Sequence, residues 1–593
     1  MTEVTVLTDE EINSGAYAGT GYVSENGCLC VQNYGTDKDG NEIAVGGTPI
    51  ANGNIIVQSF RTFDNGIERN SSINCLVSVG TKEQFVLIPS KDLNENKIMN
   101  SLPPYFRLSL KRQARAQVVD CIRAQLEQNI PEESIYQHTG WRVIDGKPCF
   151  LHAGGAIGME NVSVELSGRL SQYIISDKDS PAKWDWSLQS LDVAPHSITY
   201  PLMGMVALSP LNEFLRNKGC EPSFLMFLLG KTGTRKSTLA ALFLSYFGRF
   251  DNKSLPSSSK DTVNSIEMQG FLLKDVLTTL DDIYPTTNKQ DAERMAKLVQ
   301  EVARRYGDRT GRNRMNSDGS LRQAYIVRGN MLITGEDAPC VGQSGEARFI
   351  RLELSEKDVN LPLLTELQRD VTPFSQVMRE YIKWLIPQYD DLPAALYDRF
   401  LSLRVELGDE GHGRIAESIV FLQLAFELWT LFLSESDAIT ESKRLEMTAE
   451  CWDILKRIAI RQNKVIVSEK PSALFLAALS ELISTKAVRI HDIVDKDSPF
   501  ITERIMYKDE NYYYLAPGAI YSAISKFYRE QERNFPVTQR RLYEHLAAEG
   551  LIFCDASKVD KTRQKKINGK NSRYLWLYRD ALDSFGKVGE EDE

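Results

Sequence analysis

The chain has little of what several function classes require. Its 593 residues hold nine cysteines, an odd number without repeating spacing, and only Cys28 and Cys30 lie close together. With six dispersed histidines as well, the sequence assembles no disulfide framework, no zinc ligand set and no catalytic histidine constellation. Free thiols in a reducing cytoplasm are the expectation. The opening MTEVTVLTDEE has neither a basic n-region nor an apolar h-region, so no secretory signal is expected. Long apolar runs are scarce, and no membrane association is expected. The most apolar stretch, IVFLQLAFELWTLFL at 419–433, carries Gln423 and Glu427 and reads as a buried helix. Positive charge is also in deficit, at net −10, which argues against general polyanion binding but leaves local basic stretches free to act.

What is present is the composition of a multidomain globular protein, 42% hydrophobic and 25% charged. In the first 90 residues, NIIVQSFRTF, DNG and IERNSSINCLVSV predict two strands joined by a tight turn. GWRVIDGKPCFLH (140–152) predicts a second hairpin with Asp145-Gly146 at its tip. Between them, LSLKRQARAQVVDCIRAQLEQ has helical spacing. From about 200 short apolar strands alternate with helices: FLMFLL (224–229), VLTTL (276–280) and MLIT (331–334) predict buried parallel strands. Helical pattern dominates 373–465. The last 120 or so residues mix helices with short strands and end in the acidic GEEDE.

The first apolar strand runs into GKTGTRKST (230–238), one letter away from the phosphate-binding pattern G-x-x-x-x-G-K-[ST]. Such a loop follows a strand and opens a helix, so backbone N–H groups and the helix dipole face an anion. Gly230 and Gly233 supply the sharp turns, and Lys231, Thr232, Thr234 and Thr238 complete the cradle. Lys236 would reach the β- and γ-phosphates of ATP, and Ser237 would hold Mg2+. Arg235 stands where the second glycine is usual. Its charge suits an anion; its side chain takes up room if turned toward the phosphates.

The next strand ends in Asp281 and Asp282, where an open α/β sheet places ligand groups. Asp281 would hold Mg2+ through water and Asp282 would orient or deprotonate the attacking water. A polar strand end or helix cap is the plainer alternative. A third strand ends in ITGE, with Thr334 at its tip. QSGEARFIRLEL then sets Arg348 before another strand, as a cation for a transferring phosphoryl group or as an ordinary surface arginine.

Two basic stretches remain. RRYGDRTGRNRMNSDGSLRQAYIVR (304–328) holds seven arginines, among them Arg309, Arg312, Arg314 and Arg322, against two aspartates, with a hairpin tip at Asn316 to Gly319. Arginines of this kind pair with phosphate without reading sequence, or pack inside the fold; a mixture is expected. FPVTQRRLYEHLAAEGLI (535–552), with Arg540 and Arg541, reads as a Thr-capped helix. KVDKTRQKKINGKNSRYLWLY (558–578) reads as a basic wing carrying Lys561, Arg563, Lys565, Lys566, Lys570 and Arg573. Helix, helix and wing make a winged helix, which binds duplex DNA or protein. GHGRIAES (411–418) sets Arg414 at a helix start, either beside the nucleotide or on the surface.

The order of loop, Asp-Asp strand, Thr-tipped strand and arginine is that of the AAA+ ATPases. NSIEMQGFLLKDVLTTLDDIYP (264–285), RRYGDRTGRNRMNSDGSLR (304–322), RGNMLITGEDAPCVGQSGEARFI (328–350) and TGWRVIDGKPCFLHAGGAIG (139–158) resemble the cassette chromosome helicases of bacterial mobile elements. These belong to a larger family first described as a domain of unknown function and are similar to MCM helicases. The resemblance implies a multidomain α/β chain: an N-terminal β-rich domain (1–115), an α+β linker region (116–200), an AAA+ core (201–356), a helical lid (357–465) and a winged-helix domain with an acidic tail (466–593). It implies an ATP-dependent DNA helicase forming a homo-oligomeric ring, commonly a hexamer, that replicates a mobile element. Single-stranded DNA would run in the channel, gripped by the 304–328 hairpin, duplex would meet the winged helix, and a loading or single-strand-binding protein is a further partner. Lys236, Ser237, Asp281, Asp282 and Thr334 would serve one subunit's nucleotide and Arg348 its neighbour's. Arg348-Phe349 matches the Arg-Phe pair of MCM proteins, whose loops have alanine at the position of Arg235. Two rivals stay open: an origin-binding or regulatory ATPase without unwinding, and a nucleotide-dead scaffold.

Overall fold

The computed structural model describes residues 7–176, 183–311, 314–315, 321–337, 345–408, 412–493, 505–531, 533–555, 558–567 and 569–585. The expected first hairpin forms: Asn54–Asp64 pairs antiparallel with Arg69–Val79. These strands join Lys82–Pro89, Glu132–Tyr136 and Ser163–Val164 in a five-stranded sheet. The helix Ala114–Leu126 buries Val118, Val119, Cys121 and Ile122 in the core of this sheet. Its Gln125 mends the ladder where a bulge shifts the register between Val57 and Ser59. The side chain accepts from Val57 N at 2.9 Å and donates to Ile55 O at 3.0 Å, so these two buried peptide groups are paired. The boundary expected between 115 and 116 therefore falls inside a helix whose packing belongs to the front sheet.

The second hairpin, Gly140–Ile144 with Lys147–His152, turns at Asp145 and Gly146, both at positive φ as a two-residue hairpin requires. Its Trp141 is buried in the large core shared with residues up to Ile466, so the segment after 139 is built onto the body that follows.

That body is a parallel five-stranded sheet in the order Ser257–Ser258, Leu277–Ile283, Asn330–Gly335, Leu225–Leu229, Phe349–Glu353. Both faces are covered. Met226, Leu228, Leu277 and Leu352 enter the large core, and Leu225, Phe227, Leu280 and Ile333 pack under the helix Lys289–Asp308. Burial on both faces is why these strands read as unbroken apolar runs. The helix Gly413–Glu435 is long and apolar enough to cross a membrane by length and composition, yet 72% of its most apolar window is buried in the protein.

The C-terminal part has its own core. Helices Pro471–Ser484, Pro517–Glu530 and Gln539–Ala548 cover one face of a sheet ordered Arg489–Asp492, Ile505–Lys508, Tyr512–Leu515, Lys570–Tyr578, Arg563–Ile567. Among the described residues every cysteine is free, and no three His, Cys, Asp or Glu side chains are grouped to hold a metal.

Candidate nucleotide site and basic surfaces

The loop sits at the carboxyl end of the central strand Leu225–Leu229 and opens the helix Lys236–Leu244. Gly230 is obligatory: a Cβ there would lie 2.4 Å from Leu354 O and 2.7 Å from Thr234 Oγ1. Gly233 takes φ +91°. Arg235 takes φ +67° in the left-handed region, which explains why glycine is usual at this position. Its side chain is exposed, and the residue is part of the lining of the cavity at the loop. An L-residue in this conformation costs about 1 kcal/mol. Arg235→Gly should therefore raise the unfolding free energy by about that amount, seen as a higher denaturant midpoint at unchanged slope; a lower midpoint would show that the arginine is held there by contacts.

Lys236 Nζ donates to Gly230 O at 2.6 Å and Lys231 O at 2.9 Å, which keeps the ammonium over the mouth of the loop. Thr234 Oγ1 donates to Lys231 O at 2.9 Å. Strand order brings three distant residues together. Ser237 Oγ donates to Asp281 Oδ1 at 2.7 Å, Thr334 Oγ1 donates to the same oxygen, and Asp282 N donates to Thr334 Oγ1 at 3.3 Å. The acidic pair sits on a bulge between Leu280 and Ile283, and Asp282 has φ +68°. Neither feature is written in VLTTLDDI. A non-glycine residue in that region is strained, and such strain gathers at functional sites.

Burial raises the Asp282 carboxyl above the ordinary aspartate range, and Asp281 and Glu336 push the same way against Lys260 and Lys236. Burial lowers the Lys236 ammonium, opposed by Glu336, Asp281 and Asp282. Glu336 is a site residue the sequence reading passed over. It accepts a hydrogen bond from Thr232 and lines the cavity of about 220 Å³ bounded by Lys236, Ser237, Thr238, Asp282 and Thr334. Its only signal was its place two residues after the threonine tip. A wider cleft of about 570 Å³ lined by His196, Lys357, Glu450 and Arg457 shares no residue with this cavity and holds no residue of the acidic strand.

Arg348 lies at the opposite end of the sheet. Phe349 is in register with Leu225 and Glu353 with Leu229, so the arginine stands about 16 Å from the level of its own loop. Its guanidinium is paired with Asp308 at 2.9 Å. Arg414, at the head of Gly413–Glu435, pairs with the same carboxylate at 3.1 Å. The two arginines thus share one anchor, and Arg414 is not beside its own loop. Gly307 makes room for this, since a Cβ there would lie 2.5 Å from Arg348 Cδ. Arg348 is buried, not an ordinary surface arginine.

The basic stretch 304–328 divides. Arg309, expected on nucleic acid, is buried instead: its guanidinium donates to Pro222 O at 2.7 Å and Gly329 O at 2.7 Å. It caps the end of Lys289–Asp308 in a left-handed conformation, which turns its side chain back onto the sheet. Arg328 lies 3.9 Å over the Phe271 ring and donates to Asn65 O in the front hairpin turn. Arg305 is paired with Glu267. Arg314–Met315 and Leu321–Arg322 form an antiparallel ladder with Arg314 opposite Arg322, so strands flank the expected hairpin tip. Arg312 and the tip at 316–319 lie outside the described residues.

In the C-terminal part, Thr538 stands at the cap position of Gln539–Ala548 but makes no capping hydrogen bond. Arg540 and Arg541 are about 70% exposed and each pairs with Glu544. The hairpin Arg563–Ile567 with Lys570–Tyr578 forms as expected. Lys566 and Lys570 are exposed, Lys561 is half-buried, Arg573 is paired with Asp560 at 2.7 Å, and Arg563 and Lys565 lie over aromatic rings.

The family model for the domain of unknown function DUF927 matches residues 32–324. The solved structure titled "SCCmec type IV Cch - active helicase" matches with TM-score 0.60 at 14% identity, over 95% of this chain and 99% of that one. The family model thus spans just under half of the chain, and the helicase structure is similar to nearly all of it. At that identity the structural likeness establishes a shared fold. The apo C-terminal region of NrS-1 also matches, at 11% identity over 70% of this chain and 87% of that one, with a TM-score of 0.23 that carries no argument. No curated protein matches the chain.

Proposed function

We propose that this protein is a ring-forming, ATP-dependent DNA helicase of the AAA+ class that replicates a mobile genetic element. The observation that carries the reading is the Ser237–Asp281–Thr334 contact under the glycine loop, with Arg348 at the far end of the same sheet. The sheet order, with the loop strand between the threonine and arginine strands, supports an AAA+ core over 201–356, followed by a helical lid and a C-terminal winged helix.

The residues present fit Mg2+ and ATP. Gly230 to Thr238 would cradle the phosphates, Ser237 and Asp281 would hold the metal, and bound ATP would supply the phosphoryl group whose transfer to water drives motion. Lys236 binds the terminal phosphates. Asp282 orients the attacking water and accepts its proton, and Thr334 fixes the position of that acid pair. Arg348 lies too far from its own loop to act there, so it serves the neighbouring subunit, with Arg414 beside it on Asp308. A cavity of about 220 Å³ is small for a nucleotide and suits a site completed by a second protomer, in the commonest case within a hexamer. Hydrolysis moves the 304–328 hairpins along one strand, and the front domain forms a collar or receives a loading partner.

Strand separation on forked DNA tests the reading. ATP turnover without separation would leave the regulatory ATPase standing in its place. The pH dependence of kcat/KM tests Asp282. A base raised by burial takes up its proton as pH falls, at a higher pH than an ordinary aspartate, so the acid limb should begin above the usual carboxylate range. Asp282→Asn should abolish that limb along with most of the rate. A limb at the ordinary position in the unaltered protein would remove Asp282 from this role.

A further inference from the structure

The outer face of the C-terminal sheet carries rings where an ordinary one-sided sheet carries polar side chains. Along Lys570–Tyr578, Leu575 and Leu577 point into the helical core, which leaves Tyr574, Trp576 and Tyr578 on the other face, Tyr574 buried there with Tyr507, Tyr514 and Ile567. Tyr512 stands opposite Tyr578 and Tyr514 opposite Trp576. Phe553 is added at the edge by its N–H bond to Trp576 O at 2.8 Å. The Tyr512 centroid lies 5.5 Å from Phe553, 5.4 Å from Trp576 and 5.3 Å from Tyr578, and all four rings are half-buried. Cations border them. Arg563 lies 4.2 Å over Phe553, and Lys565 lies 4.6 Å over Tyr514 and 5.2 Å from Trp576. Asp509 faces this group from the neighbouring turn, 3.4 Å from Lys565, and accepts a hydrogen bond from the Tyr514 hydroxyl.

We propose that this aromatic and cationic face is a second DNA site, which stacks the unpaired bases of a single strand. It goes beyond the proposed function and beyond the expectation that the winged helix meets duplex. The wing residues Arg563 and Lys565 are turned over rings on the sheet face rather than outward toward a groove. Every base has a flat π-face and every nucleotide a phosphate, so rings flanked by guanidinium and ammonium groups match an unpaired strand without reading its sequence. A duplex keeps its bases stacked on each other and offers the rings nothing to stack on. The face complements a polyanion, which argues for nucleic acid over an apolar protein partner.

The experiment uses the full chain without nucleotide, so that a failed ATPase reading leaves its outcome intact. Fluorescence anisotropy would compare a labelled oligothymidylate of about 20 nucleotides with a duplex of the same length. Trp576→Ala should weaken the single strand about 10-fold or more and leave the duplex unchanged, with Trp576→Phe retaining most of the affinity. Arg563→Gln, which keeps every ring, should weaken it several-fold and reduce the salt slope by about one. A bromodeoxyuridine oligonucleotide should photo-crosslink to Tyr512, Phe553 or Trp576. Single-strand affinity unchanged in both Trp576→Ala and Arg563→Gln, or crosslinks confined to other parts of the chain, would overturn the proposal.

Discussion

Lys236→Ala is expected to lower DNA-stimulated ATP turnover by about 10²–10³-fold, the loss typical when one preorganised group that stabilises transition-state charge is removed. The ammonium is held over the loop by two backbone carbonyls and faces three carboxylates, Glu336, Asp281 and Asp282. In the proposed reaction it counters the charge of the terminal phosphates that those carboxylates would repel. Fork unwinding should fall with turnover, whereas DNA binding without nucleotide should survive, because no basic surface described above involves this residue. The side chain is partly exposed and bonds only to its own loop, so the fold should tolerate alanine. Turnover at the unaltered rate would end the motor reading, and DNA binding without any ATP binding in the unaltered protein would favour the scaffold.

Arg348→Ala should cost still more, about 10³-fold or greater, the scale of an arginine that neutralises a phosphoryl group in flight. It should act across the subunit boundary. The residue is anchored on Asp308 together with Arg414, at the end of the sheet away from its own loop. Mixing Arg348→Ala with Lys236→Ala protein supplies the decisive measurement. In a mixed ring, some boundaries pair an intact loop from one chain with an intact arginine from the other, so turnover should exceed that of either variant alone. Arg348→Lys should not restore activity, because an ammonium cannot reproduce the forked pairing with a carboxylate or a phosphate. A mixture no more active than its parts would place the arginine's effect within one chain.

Much of the site was legible from local spacing. A strand, a glycine turn and a helix opening with Lys236-Ser237 announce the strand–loop–helix that the structure contains, because the backbone geometry they force is local. Two acids or a threonine at the ends of apolar runs declare polar groups at strand tips for the same reason. The arginines were less legible. Composition makes the 304–328 stretch a basic surface, yet Arg309 and Arg328 are turned inward to backbone carbonyls and a ring. A sequence counts charges without showing which carbonyls lie within their reach. The alternation in YLWLY encodes two faces, but only pairing with Tyr512–Leu515 reveals that the outer one is a continuous set of rings.

By itself, then, the sequence determined which short segments form strands and helices, which strand tips carry the polar groups that the proposed function assigns to phosphate and metal, and where basic charge concentrates. All of these follow from side-chain type and periodicity over a few residues. The tertiary structure alone decided that Ser237, Asp281 and Thr334 meet, that Arg235 and Asp282 adopt left-handed backbone, and that Arg348 faces away from its own loop. Those outcomes depend on strand order and register, which are set by burial shared among residues far apart in the chain.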